Sequence, residues 1–301
     1  MDFATYFTIL LAAGALALVA TPVVIRVATR LNALDQPDGC RKHQTRAVPL
    51  GGGLAIALAA GAVALWAIGQ GSASFSPTLT RGLLPAAAVL ILVGMIDDFV
   101  GLTGIYKLIG QMLAATLLAA GGAQFHSFSL GGADFDLGSL ALPFSVFFIL
   151  GAINAFNLID GSDGLAGAVG CVVLATVAGI AAAQHAPGAA VVGFALTGAL
   201  LGFLPYNWAP AKIYLGDTGS MLIGLVVAFV AVDASIKTQA AAALIVPIAG
   251  CAIPILDAAA ALVRRITTGQ SVFAPDRGHL HHALLLRGLS VRQTALAAAG
   301  L

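Results

Sequence analysis

Apolar residues run almost unbroken for about 20 positions at a time, the length that crosses a bilayer as a helix. The pattern predicts spans at 4–26, 50–70, 82–98, 106–122, 141–158, 164–184, 189–206, 217–234 and 239–260. A tenth begins near residue 290 and is cut by the end of the sequence at 301. One segment departs from this pattern. Residues 123–140 alternate apolar and polar positions about Gly131-Gly132 and predict a small β-hairpin outside the membrane. The expected fold is all-α, a polytopic bundle of about ten transmembrane helices, forming a single domain over 1–301. The first run has neither a basic leader nor a small-residue cleavage site and is read as a retained span.

Composition agrees. Hydrophobic residues make up 59% of the chain and charged residues only 9%, against about 25% in soluble domains. The 36 glycines suit helices that pack closely through small residues. A net charge of +1 gives no reason to expect nucleic acid as a partner. Cys40, Cys171 and Cys251 form no CxxC pair and are read as packing residues.

The 14 Lys and Arg residues orient the bundle, because cytoplasmic loops carry the excess of positive charge. With the N-terminus outside, all but Arg81 and Lys237 fall on the cytoplasmic side. The same topology sends every polar motif to that side, although the motifs are scattered along the chain. A secondary transporter would instead hold its polar site near the bilayer midplane, at broken helices of repeated halves. No internal repeat is visible. A CDP-alcohol phosphotransferase would carry several acids at helical spacing in one helix, whereas these are divided among three segments.

All 13 acidic residues are Asp, and five of them lie in those three segments. Asn154–Gly164 follows an apolar run and holds Asn154, Asn157, Asp160, Asp163 and two glycines. Carboxylates at the edge of hydrocarbon are costly, so the cluster is a functional candidate. Asn and Asp oxygens are hard donors that suit Mg²⁺ and the phosphates it carries. Asp97-Asp98 ends the third span, where adjacent carboxylates repel unless a cation or proton lies between them. Lys107 follows, placed to meet a phosphate. Gly216-Asp217-Thr218-Gly219-Ser220 opens the eighth span, at a helix start that favours anions. Tyr214 just before it is placed to stack on a base. Pro275–His282 brings His279, His281 and His282 together, with Arg265 nearby, as donors for an oxyanion. Lys42 belongs to a basic loop, Arg41–Arg46, that leads into Gly51-Gly52-Gly53.

Taken together, the motifs RKHQ…VPLGG, GMIDDF, NAFNLIDGSDGLAG, LGDTGS and PDRGHLHH resemble the polyprenyl-phosphate N-acetylhexosamine-1-phosphate transferases. They occur in that family's order across nearly the whole chain. HLHH is similar to the branch that uses UDP-GlcNAc and undecaprenyl phosphate; the phospho-MurNAc-pentapeptide branch, the alternative, shows three consecutive His. The resemblance implies a multi-pass protein of the bacterial inner membrane with its active site on the cytoplasmic face. It implies transfer of a sugar-1-phosphate from a UDP-N-acetylhexosamine to undecaprenyl phosphate, releasing UMP and starting a cell-envelope glycan. It is compatible with a homodimer. By the same resemblance Asn157 and Asp217 would hold Mg²⁺, or Mn²⁺ in its place. Asp97 would be the base and Asp98 its support. Asp160 would be a supporting acid or a covalent nucleophile. Asp163 and Tyr214 would meet the uracil. Lys107, Arg265, His279, His281 and His282 would contact phosphate, and Lys42 would bind substrate.

Overall fold

The computed structural model describes residues 1–36, 47–71, 78–130, 133–238, 263–269 and 291–300. Lys42, His279, His281, His282 and the ninth span lie outside these residues. The helices are α1 (Phe3–Arg30), α2 (Gly52–Gly69), α3 (Leu84–Val100), α4 (Gly104–Ala120), α5 (Ala141–Ile159), α6 (Leu165–Ala183), α7 (Pro187–Asn207), α8 (Gly216–Thr238) and α9 (Val291–Gly300). A π-helical turn, Thr78–Leu83, leads into α3. Among the described residues seven helices are long and apolar enough to cross a membrane, and α4 is a shorter apolar helix. The protein is a multi-pass helical membrane protein, and helix borders fall within a few residues of those expected. The first span continues past its expected end through a last turn that carries Arg30.

Strands β3 (Ser127–Leu130) and β4 (Ala133–Asp136) pair antiparallel, as expected for 123–140. A second pair, β1 (Leu34–Asp35) with β2 (Val48–Pro49), was not legible, because two-residue strands are too short to show alternation.

The core forms around α8, where Met221 through Ala234 are all buried. A helix apolar on every side has no solvated face, so it must lie inside the bundle. Helices α2, α3, α5, α6 and α7 pack on it. Gln111 is buried and donates to Met221 Sδ at 3.3 Å, tying α4 to the same helix. Helix α1 is peripheral. Its Phe3, Phe7, Leu11, Val19 and Val23 are exposed, a face that suits lipid. On its other side α1 meets α7 through glycine: a Cβ on Gly198 would lie 2.1 Å from Leu10 O, and one on Gly202 2.1 Å from Gly14 O. Close approach through small residues is how helices associate where lipid is as apolar as the side chains.

Each helix pair reverses direction. The ends of α3, α5 and α7 therefore meet the starts of α2, α4, α6 and α8 at one end of the bundle, and backbone bonds fix that end. Gly52 N donates to Tyr214 O at 3.0 Å and Gly53 N to Leu215 O at 2.8 Å. Tyr214 N returns a bond to Pro49 O at 3.0 Å. The segment before α8 is thereby held against the start of α2.

Candidate active site

The start of α8 is the hub of this end. An α-helix leaves its first amides without partners inside the helix. Here Asp98, from the last turn of α3, supplies them. Its Oδ1 accepts from Asp217 N at 2.8 Å. Its Oδ2 accepts from Thr218 Oγ1 at 2.9 Å and Thr218 N at 3.4 Å. Asp217 lies in the first turn of α8, and a carboxylate from another helix caps that turn. Gly216 makes the approach feasible. Its φ is +71°, and a Cβ there would lie 2.7 Å from either Asp98 carboxylate oxygen. Gly94, one turn before Asp98, brings α3 onto α8: a Cβ there would lie 2.5 Å from Thr218 Cα. Gly53 does the same for α2, 2.2 Å from Gly219 N.

With its backbone held, the Asp217 side chain faces three other helices. Asn157, near the end of α5, donates through Nδ2 to Asp217 Oδ1 at 2.8 Å and to Ser220 Oγ at 3.1 Å. Lys107, from the first turn of α4, pairs with Asp217 Oδ2. The same ammonium lies 2.9 Å from Asp97 Oδ2. Asp97 Oδ1 accepts from Leu102 N at 2.7 Å, which fixes the turn between α3 and α4. The side chains of Lys107, Asp97 and Asp217 are 22%, 14% and 21% exposed, open enough for a ligand to reach.

Asp160 caps the end of α5 in the turn toward α6 and is half-buried. Burial first, then the carboxylates of Asp217, Asp98 and Asp163, hold its carboxyl well above the ordinary range. Desolvation and like charge both disfavour an anion. Asp163 Oδ2 accepts from Ala211 N at 2.9 Å, bridging the α5–α6 turn to the α7–α8 loop. Asn207 supports the same bridge, accepting from Gly164 N at 3.2 Å and donating to Ile213 O at 3.0 Å. Tyr214 lies in that loop, its phenol pushed up to about 12 by burial and by the carboxylates of Asp163 and Asp35. It is therefore a neutral hydrogen-bond donor.

The structure thus brings together Asp97, Asp98, Lys107, Asn157 and Asp217 directly. Asp160 faces them electrostatically, and Asp163 and Tyr214 lie in the two neighbouring loops that the Asp163–Ala211 bond joins. Arg265 is half-buried in helical residues 263–267. Thr218, Ser220 and Asn207 were not assigned roles by sequence. Thr218 and Ser220 stand inside a motif that was singled out. Asn207 had only the signal of an amide at the end of an apolar helix.

The donors are hard oxygens of the kind that take Mg²⁺ or Mn²⁺. Among the described residues no group of three or more His, Cys, Asp or Glu is arranged to hold a metal ion. The ammonium of Lys107 stands between the two nearest carboxylates, in the position a cation would take. Asn157 borders Asp217 and carries an amide oxygen of the same hard type, so the residues fit a divalent ion by donor chemistry once the ammonium moves aside.

Residues 80–235 match the model of glycosyl transferase family 4. The chain is 34% identical to a Bacillus subtilis protein named "Probable undecaprenyl-phosphate N-acetylglucosaminyl 1-phosphate transferase", across 93% of this chain and 77% of that one. It is 36% identical to the decaprenyl-phosphate N-acetylglucosaminephosphotransferase of Mycobacterium tuberculosis, across 92% of this chain and 75% of that protein. The phospho-N-acetylmuramoyl-pentapeptide-transferase of Shouchella clausii is 33% identical across 95% of this chain and 91% of its own length. With the family model covering α3 through most of α8, and with relatives this similar over nearly all its length, the chain belongs to glycosyl transferase family 4.

Proposed function

We propose that the protein transfers GlcNAc-1-phosphate from UDP-GlcNAc to a polyprenyl phosphate, giving a polyprenyl-diphosphate sugar and UMP. The observation that carries this reading is the Asp97–Lys107–Asp217–Asn157 cluster, which opens at one end of an apolar bundle. A soluble anionic donor and a membrane-bound anionic acceptor both reach such a place. The names of the B. subtilis and M. tuberculosis relatives support the acceptor class and the sugar. The charge rule supports a cytoplasmic location for this end, because Arg26, Arg30, Lys107 and Lys212 gather there while Arg81 lies at the other. On this reading the protein sits in the inner membrane of a bacterium and faces the cytosolic sugar nucleotide.

The reaction forms one P–O bond and breaks another. An oxygen of the polyprenyl phosphate attacks the β-phosphorus of the donor, and the bond from that phosphorus to the bridging oxygen breaks as UMP leaves. Asp97, paired with Lys107, takes the proton from the lipid phosphate. Asp98 keeps α8 and Asp217 in register for this step. Lys107 neutralises developing charge on the diphosphate. Asn157 and Asp217 would hold Mg²⁺, which when bound neutralises the diphosphate and polarises its β-phosphorus. Asp160 serves beside the phosphates as a supporting acid, or as the nucleophile of a two-step route. Asp163 and the Tyr214 phenol border the uracil. His279, His281, His282, Arg265 and Lys42 complete the phosphate contacts. The product would enter synthesis of an envelope glycan.

Purified protein given UDP-GlcNAc and undecaprenyl phosphate should release UMP with Mg²⁺ or Mn²⁺ and cease when chelator is added. UMP release insensitive to chelator, or unchanged in Asp217→Asn, would remove the metal assignment. Parallel assays with UDP-MurNAc-pentapeptide test the reading favoured by the S. clausii relative.

A further inference from the structure

We propose that Lys107 is a built-in competitor for the divalent-cation site, holding the carboxylates of Asp97 and Asp217 together until a metal ion displaces its ammonium. This rests on the reading of Asn157 and Asp217 as metal ligands.

Six carboxylate oxygens meet where α3 joins α8, and each already has a partner. Asp98 spends both on the start of α8. Asp97 gives one to Leu102 N and one to Lys107. Asp217 gives Oδ1 to the Asn157 amide and Oδ2 to Lys107. Each oxygen keeps a second lone pair, but a cation that reaches Asp97 and Asp217 meets the Lys107 ammonium already seated between them. The bonds to Asp98 and Asp97 other than that of Lys107 come from backbone amides and the Thr218 hydroxyl, which helix starts and turns hold in place. Asn157 changes role by rotating its amide, which turns the oxygen toward Asp217. Lys107 alone is a mobile point charge on a four-carbon stem, with three donors and freedom to swing.

The exchange has two consequences. In the free protein the site is neutralised internally, so paired carboxylates at a membrane edge are tolerated without a bound ion. On metal binding the ammonium is released beside the metal, where the donor's diphosphate needs a cation. The cost is affinity: an ion binds only the fraction of molecules in which Lys107 has vacated Asp217, and its apparent affinity falls by that fraction.

The test is Mn²⁺ titration of nucleotide-free protein in nanodiscs, followed by the electron paramagnetic resonance signal of free Mn²⁺. Wild type should bind weakly, Lys107→Met about tenfold tighter or more, and Asp217→Asn should lose the site. Equal or weaker binding by Lys107→Met, with Asp217→Asn still losing the site, would overturn the competition and leave the metal site standing. Three identical titrations would remove the metal site itself. A structure of wild-type protein with Mn²⁺ and no nucleotide avoids dependence on the variant's folding. Lys107 Nζ should then lie beyond ~4 Å from Asp217, outside ion-pair reach. A Lys107–Asp217 pair retained beside bound Mn²⁺ would overturn the proposal.

Discussion

Asp98 shows how one side chain is spent. Both oxygens accept from the first turn of α8, and hydrogen bonds to a charged acceptor are worth about 1.5–3 kcal/mol each. Asp98→Ala is therefore expected to destabilise the protein by about 2 kcal/mol or more. Asp98→Asn should cost less, since it keeps one oxygen acceptor. Thermal unfolding in detergent measures both, and Asp98→Ala as stable as wild type would assign this residue to chemistry instead of structure. Glycine gives a sharper contrast. Gly53→Ala drives a Cβ to 2.2 Å from a backbone nitrogen, whereas Gly61 has nothing within 4 Å. Overpacking costs about 1–3 kcal/mol, so Gly53→Ala should unfold at lower temperature and Gly61→Ala should not.

Asp160 predicts a pH dependence. Its carboxyl is raised well above the ordinary value of 3.8, so the folded protein binds that proton more tightly than the unfolded chain does. Stability contributed by this group therefore falls as pH climbs from about 4 toward the folded value, and is flat beyond it. Asp160→Asn cannot lose a proton. In metal-free buffer it should be more stable than wild type near pH 7, with the gain vanishing below about pH 4. A gain that persists unchanged at low pH would mean that packing, not ionisation, is responsible.

Among the elements, the two loops beside the hub are coupled by Asn207, which joins Gly164 to Ile213. Replacing it with Ala leaves a buried amide and a carbonyl unpaired, at about 1–3 kcal/mol. Asp163 and Tyr214 ride on these loops, so Asn207→Ala should raise KM for the nucleotide more than it lowers kcat. Steady-state kinetics with varied donor separates the two, and an unchanged KM would contradict the coupling. None of this was legible along the chain, because Asn207 and Gly164 lie 43 positions apart. The helices themselves were legible. A span in lipid must satisfy its own backbone, so unbroken apolar length predicts it with little help from neighbours. Asp98 sat in a motif that was singled out, yet its partner is 119 residues away and its capping role waited for the fold.

At the scale of the whole molecule, positive-inside charge and the reversal of successive helices predict that the scattered acids share one face. The fold brings Asp97, Lys107, Asn157 and Asp217 into one cluster there, from four different helices. What sequence did not reveal was that the site's own lysine stands between its acids. The central claim is transfer of a sugar together with its phosphate, and the fate of the β-phosphorus tests it most directly. UDP-GlcNAc labelled with ³²P at the β-position, incubated with purified protein and undecaprenyl phosphate, should place the label in the lipid fraction, with unlabelled UMP released in equal amount. Label left in the aqueous phase as UDP would mean that the sugar moves without its phosphate, and would contradict the account.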